Sequence, residues 1–425
     1  MPNYIKSAQR TSAGFAASSP EVAALVSNVI SEIRTQGDAA VRKYSAKFDS
    51  WDRPSFKLSQ KEIDEAIAQV SPQVISDIKE VQENFELEIQ PGVFLGQKNN
   101  PINRVGCYIP GGRYALLASA HMTILTAKIA GVKSVVACTP PIGGLLPVET
   151  IAAMHLAGAD EILIVGGVQA VAALAVGTES IAKVDFLAGP GNKFVAEAKR
   201  QLFGEIGIDL FAGPTEVLIV ADDKADSYTC AVDLLSQAEH GPDTPAVLIT
   251  TSEAVATRTI SWVEELLKIL PTAPIASVSW KDFGEVAVTE TLDEAFALAD
   301  EYASEHVQIL TERPREALEK MTNYGALFLG ENTCVSYGDK CIGTNHVLPT
   351  LKASRYTGGL WVGKYLRTQT YQEVRSPQAS GELGRLCGRA ARAEKFEGHA
   401  RSGDLRAQKH LGDKIAWIEQ SRVMT

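Results

Sequence analysis

Gln237 and His240 stand three residues apart in LLSQAEHG, where a helical pattern stops at Gly241-Pro242. Residues at that spacing share a helix face. The segment's apolar stripe, Ala231, Leu234, Leu235 and Ala238, leaves the Gln–His edge pointing elsewhere. Imidazole is the commonest metal ligand and the side chain best suited to proton transfer near neutrality. The edge therefore reads either as half of a metal site or as an ordinary helix end, and Asp339, in a Gly-Asp turn, is placed in a segment able to complete it. Three further histidines sit in unusual company: His306 in SEH, His346 in TNHVLPT and His399 in FEGHARSGD. His121 and His155 fall in apolar helical patterns and read as core or boundary residues, and His410 as solvated.

These side chains need a scaffold, and the chain supplies an α/β one. RVGCYIPGG, SVVACTPP, EILIVGG and DFLAGPG read as short apolar strands ending in Gly or Pro, separated by Ala-rich helical stretches. A second series follows: EVLIVADD, the helix ending at His240, AVLITTS, a helix through Ile260 to Ile269, ASVSW, and later GALFLG. Strands alternating with helices predict parallel sheets buried on both faces. The fold class expected is α/β, with two Rossmann-like parallel-sheet domains, a helical N-terminal region and a helical C-terminal tail. In such sheets ligands sit at the carboxyl ends of strands. There AGPGNKFVAEAKR offers glycine-lined backbone N–H groups to a phosphate at a helix N-terminus. The alternative is a tight turn that needs glycine, while Asn192 and Gln169 at neighbouring strand ends favour a bound polar ligand.

The net charge of −10 over 425 residues argues against a nucleic-acid surface but not against a small anionic substrate. Six scattered cysteines without a C-x-x-C pair, and an N-terminus lacking an apolar signal core, predict reduced thiols and a cytoplasmic protein. No apolar stretch is long enough to span a membrane.

In order along the chain, VGCYIPGG, GGVQAVAALAVGTE, DFLAGPGNKFVAEAKR, FGEIGIDLFAGPTEVLIVAD, DLLSQAEHG, SEH, GALFLG and GTNHVLPT resemble the histidinol dehydrogenase family. The resemblance implies a zinc enzyme that oxidises a primary alcohol to a carboxylate through an aldehyde, reducing two NAD. By matching position it implies zinc ligands at Gln237, His240, Asp339 and, from a partner subunit's tail, His399. It implies NAD contacts at Tyr108, Gln169 and Asn192, acid–base catalysis by Glu305 and His306, and substrate contacts at His346 and Glu394. It also implies a homodimer with shared active sites.

The chain departs from that family in places. Thr215 stands where the family has Ser, and Lys340 where an aromatic residue follows the liganding Asp. Arg113 follows PGG, and the tail CGRAARAEKFEGHARSGDLR adds arginines, among them Arg401 and Arg406. Added positive charge suits a strongly acidic substrate rather than an imidazole-bearing cation. With YGDKCIGTNHVLPT and YTGGLWVGKYLRTQTYQ, these segments resemble the family's sulfopropanediol dehydrogenase branch. The expected reaction is therefore oxidation of (R)-2,3-dihydroxypropane-1-sulfonate to (R)-sulfolactate in organosulfonate catabolism, with Thr215, Lys340, His346 and Glu394 facing substrate. The alternatives are L-histidinol to L-histidine, another polar alcohol, or a catalytically silent relative, against which the intact set of candidate residues speaks. The expected division is a helical region over 1–107, an inserted NAD-side α/β domain over 108–213, the zinc and catalytic residues over 214–360, and a swapped helical tail over 361–425.

Overall fold

The computed structural model describes residues 88–111, 115–210 and 213–422, with the single positions 36, 39, 40, 43, 46 and 61. The helices expected across the first ninety residues fall almost wholly outside the described residues, as does Arg113. The chain divides into two units, one of 100–367 and one of 1–99 with 368–425.

The smaller unit carries a three-stranded sheet in the order β1 (Glu88–Gln90), β2 (Val93–Pro101), β13 (Leu366–Val374). The tail is thus helical only after β13, whose residues are almost all exposed and polar. Three helices follow, with Ala416–Arg422 coming after a hairpin of Pro377–Ala393 and Glu397–Leu411. The two hairpin helices approach through glycine: a Cβ at Gly384 would strike the Gly403 carbonyl, and one at Gly403 the Gly384 carbonyl. A bidentate pairing of Arg392 with Asp404, which also accepts from Trp417 Nε1 at 2.8 Å, crosslinks the hairpin. Backbone contact and this polar network hold together a segment with few large apolar residues.

The larger unit holds two five-stranded parallel sheets. The first runs β5 (Glu161–Ile164), β4 (Ser134–Thr139), β3 (Arg104–Tyr108), β6 (Phe186–Ala188), β7 (Gly207–Ile208). Its helices include α1 (Val148–Leu156), α2 (Gly167–Val176) and α3 (Lys193–Leu202). The second runs β10 (Gly284–Val288), β9 (Ala246–Thr250), β8 (Val217–Ala221), β11 (His306–Leu310), β12 (Ala326–Leu329). It is covered by α4 (Ser227–Ala238), α5 (Glu253–Leu267), α6 (Ala273–Phe283) and α7 (Leu292–Tyr302), and α8 (Val335–Lys340) follows β12. Every residue of β8, β9 and β11 is buried. That is why β8 and β9 read as continuous apolar runs rather than alternating ones, whereas β11, HVQIL, buries His306 and Gln308 and does not read as a strand.

Three expectations change. ASVSW is not a strand: Pro274 opens α6 and Ala276 and Ser279 are its buried face, with Ser279 Oγ donating to Thr244 O at 2.7 Å. The strand is the next segment, GEVAV. His121 and His155 are exposed rather than in the core. The proposed break near 213 does not separate two units. Residues 347–366 return to the first sheet, where Val347, Leu360 and Tyr365 join the core of β3 and β6. Tyr365 Oη donates to Thr123 O at 3.0 Å there.

Candidate active site

The pocket is a cavity of about 430 Å³ in the larger unit, where the two sheets meet it with opposite ends. Pro110 and Gly111 beyond β3 and Pro190 to Asn192 beyond β6 line it from the carboxyl ends of the first sheet. From the second sheet come the residues that precede β8, β9 and β11 (Thr215, His240 to Thr244, and Glu305), together with His306. The carboxyl-end rule therefore holds for the first sheet alone.

Gln237, His240 and Asp339 all line this pocket. Asp226 caps α4 by accepting from Tyr228 N and Thr229 N, and the apolar face of α4 is buried, so the Gln–His end is fixed. His240 follows the helix, its N–H bonded to Gln237 O at 3.0 Å. Gln237 is 1% exposed, and its Oε1 has no hydrogen-bond partner. An unpaired buried acceptor costs about 1–3 kcal/mol, so its retention beside His240 and Asp339 fits a cation held there. His240 Nε2 lies 4.0 Å from Asp339 Oδ2, within reach of two bonds of about 2.1 Å to one ion. Among the described residues no three His, Cys, Asp or Glu side chains form a metal-holding group by themselves, and the third donor here is an amide. Burial lowers the pKa of His240, with Asp339 opposing, which favours the neutral, ligating imidazole.

Glu305 and His306 sit at the amino end of β11, both buried. Glu305 Oε2 accepts from Glu216 N at 3.0 Å and lies 3.4 Å from His306 Nδ1. His306 Nδ1 also meets Glu216 O at 3.0 Å, while its Nε2 has no hydrogen-bond partner and lies 4.0 Å from Asp339 Oδ1. Burial disfavours the His306 cation, but the Glu305 carboxylate more than compensates and lifts the pKa to about 9. Glu216, which the sequence did not single out, is pushed up to about 7 by burial, with the Leu351 N–H opposing and the Glu305 charge adding to it. His346 Nδ1 is 3.9 Å from Asp339 Oδ1, and its Nε2 is 3.2 Å from Ser119 Oγ. Ser119 lies two residues before a π-helical turn, His121–Leu125, of the kind frequent at functional sites.

On the first sheet's side, Tyr108 Oη accepts from Gly167 N at 3.0 Å. Asn192 caps α3, its Oδ1 accepting from Phe194 N and Val195 N, which leaves the amide NH₂ for a ligand. The turn between them is clamped. Gly189, at φ 120°, donates to Asp209 Oδ2 at 2.7 Å and accepts from Lys199 Nζ at 2.9 Å. Lys199 and Asp209 are themselves paired and shut off from water. Gln169 is exposed on α2 and does not line the pocket. Thr215 lines it, as does the exposed Lys340 at the end of α8.

The remaining predicted residues belong to the smaller unit. His399 is exposed, its ring 5.3 Å from Phe396, and Glu394 is the exposed C-cap of the Pro377–Ala393 helix. Arg401 bonds Glu397 at 3.3 Å and stacks over Trp417, and Arg406 bonds Ser402. All six cysteines are free, and no described helix is long and apolar enough to cross a membrane.

A family model described as Histidinol dehydrogenase matches residues 15–407. The chain is 54% identical over 424 residues to a "Histidinol dehydrogenase homolog" of Shouchella clausii, covering 96% of this chain and all of the relative. It is 42% identical over 428 residues to the "Sulfopropanediol 3-dehydrogenase" of Ruegeria pomeroyi, covering 97% of each. The crystal structure of histidinol dehydrogenase from Elizabethkingia anophelis matches with a TM-score of 0.72 at 32% identity, over 93% of this chain and 94% of that one. An α/β chain with this site, this family match and these relatives belongs to the histidinol dehydrogenase family, and it is a dehydrogenase of that family.

Proposed function

We propose that the protein oxidises an anionic primary alcohol to its carboxylate in two NAD-linked steps, with (R)-2,3-dihydroxypropane-1-sulfonate as substrate and (R)-sulfolactate as product. The balance is R–CH₂OH + 2 NAD⁺ + H₂O → R–COO⁻ + 2 NADH + 3 H⁺. The observation that carries the reading is the meeting of buried Glu305–His306 with His240, Asp339 and Gln237, whose Oε1 has no hydrogen-bond partner, in one cavity. Those last three would hold a divalent ion, zinc by the family's precedent, and the partner subunit's His399 would complete the set in a homodimer with shared sites. Such an ion supplies Lewis acidity, lowering the pKa of an alcohol and orienting it. NAD supplies the redox chemistry as hydride acceptor, with Tyr108, Asn192 and Gln169 as its contacts.

The chain's own residues do the rest. His306 lines the cavity, and its Nε2, without a hydrogen-bond partner and 4.0 Å from Asp339 Oδ1, takes the hydroxyl proton as hydride leaves carbon. With a divalent ion held by Gln237, His240 and Asp339, the Glu305 charge would be opposed, so that His306 could accept a proton. Glu305 then deprotonates the water that hydrates the aldehyde, and His306 acts again in the second oxidation. Thr215, His346 and the partner subunit's Glu394 orient the substrate. Lys340, on the cavity wall beside Asp339, supports an anionic substrate, as does the similarity to the Ruegeria enzyme. The second reading, L-histidinol to L-histidine, is supported by the similarity to the Elizabethkingia enzyme.

NADH formation with the sulfonate diol and with histidinol, side by side, tests the choice. A charge-assisted hydrogen bond contributes about 1.5–3 kcal/mol, so Lys340→Met should raise KM for the sulfonate ten- to a hundredfold and barely alter that for glycerol. Efficient turnover of histidinol with none of the sulfonate would overturn the substrate assignment.

A further inference from the structure

We infer that Glu216 is a positioning residue: its carboxylate and its backbone carbonyl together hold His306 with Nδ1 protonated and Nε2 turned into the cavity. The inference rests on the reading of His306 as proton acceptor. Glu216 immediately precedes β8 and Glu305 immediately precedes β11, and these parallel strands pair with His306 opposite Val217. The two glutamates exchange bonds. Glu305 Oε2 accepts from Glu216 N at 3.0 Å, and Glu216 Oε2 accepts from Glu305 N at 3.2 Å.

That exchange sets the position of the Glu216 carbonyl, which can only accept. It takes the backbone N–H of His306 at 3.2 Å and meets His306 Nδ1 at 3.0 Å, so Nδ1 must be the N–H end of the ring. In the neutral imidazole the lone pair then falls on Nε2, which is buried with no hydrogen-bond partner. The other carboxylate oxygen, Oε1, accepts from Leu351 N at 2.8 Å. Leu351 and Lys352 hold φ at 54° and 65°, a conformation that side-chain-bearing residues keep only where the surroundings impose it. One side chain thus ties together the starts of two strands and a strained loop.

A glutamine at 216 has one acceptor oxygen for two N–H donors, and its NH₂ would face either Glu305 N or Leu351 N. In metal-free protein labelled with ¹⁵N-histidine, wild type should show an exchange-protected Nδ1–H for His306. In Glu216→Gln that proton should exchange freely. The kcat for both alcohol and aldehyde should fall about 10–100-fold, with NAD affinity and bound metal changed less than twofold. Glu216→Asp keeps the charge but is too short to reach both N–H groups, so it should show the same pattern and serves if the glutamine variant does not fold. A protected Nδ1–H in both variants, with rates within twofold of wild type, would overturn the inference. If wild type oxidises no alcohol, the proposed function fails, while the imidazole N–H still decides the role of Glu216.

Discussion

Replacing Lys199 with methionine measures what holds the Gly189 turn. The Lys199 and Asp209 side chains are 2% and 0% exposed, and both bond Gly189. Removing one partner of such a pair costs about 3–5 kcal/mol, because the remaining charge stays buried without its counter-charge. The Gly189 carbonyl also loses its donor, adding about 1 kcal/mol or more if no water replaces it. Against this, methionine keeps much of the apolar stem, and Asp209 retains the N–H groups of Gly189 and Leu210. The expected net loss is about 3–5 kcal/mol, read as a lower urea midpoint at unchanged slope. Asp209→Asn in the same chain removes the orphaned charge, so the double variant should be more stable than the sum of the singles by about 1.5–3 kcal/mol. If Lys199→Met costs less than about 1 kcal/mol, or the singles simply add, the pair is not a buried clamp. NAD affinity should fall in Lys199→Met while bound metal stays constant.

Gln237→Met removes an unpaired buried acceptor, so the metal-free protein should gain about 1 kcal/mol, while the extra stability that added zinc confers on wild type disappears; a destabilised apo-protein would show that the amide has a partner. Glu305→Gln should leave the first oxidation largely intact and slow oxidation of supplied aldehyde about 10²–10⁴-fold, and near-normal aldehyde oxidation would contradict its assigned role. Arg392 beside Asp404 holds its carboxyl below the ordinary value of 3.8, against an opposing effect of burial. That stability is present above pH 3.8 and is lost as pH falls through the lower folded pKa, so Asp404→Asn should flatten the acid limb of an unfolding curve.

Most of both parallel sheets was legible because strands buried on both faces leave unbroken apolar runs such as VLIVA and AVLIT. The three-stranded sheet was not, since β13 is polar and exposed and its pairing is set by β2, remote in sequence. ASVSW misled because small residues alternating with apolar ones fit period two as well as the buried face of α6. In the site, spacing pointed to Gln237 and His240, which the fold does bring to Asp339. Glu216 and Lys199 were invisible for different reasons. Glu216 meets Glu305 only because two strand starts 89 positions apart become neighbours. Lys199 looks like a solvated residue of an amphipathic helix until the buried Asp209 is placed beside it.

A cavity between two sheets also has a timetable. The strands of the first sheet lie between residues 104 and 208 and those of the second between 217 and 329, so each closes within one consecutive stretch, although β3–β6 and β8–β11 pair across the βαβ units between them. Parallel pairing across helical crossovers forms slowly, and synthesis proceeds from the N-terminus. A nascent chain that has emerged only to residue 330 can hold both sheets while lacking Asp339, His346 and the 347–366 segment that packs back onto the first sheet. Until Asp339, Lys340 and His346 emerge, the cavity between the amino ends of one sheet and the carboxyl ends of the other lacks part of its wall. Ligands that depend on Asp339 and His346 therefore cannot assist folding of either sheet before those residues appear, and their stabilising effect begins only once the chain through His346 has left the ribosome.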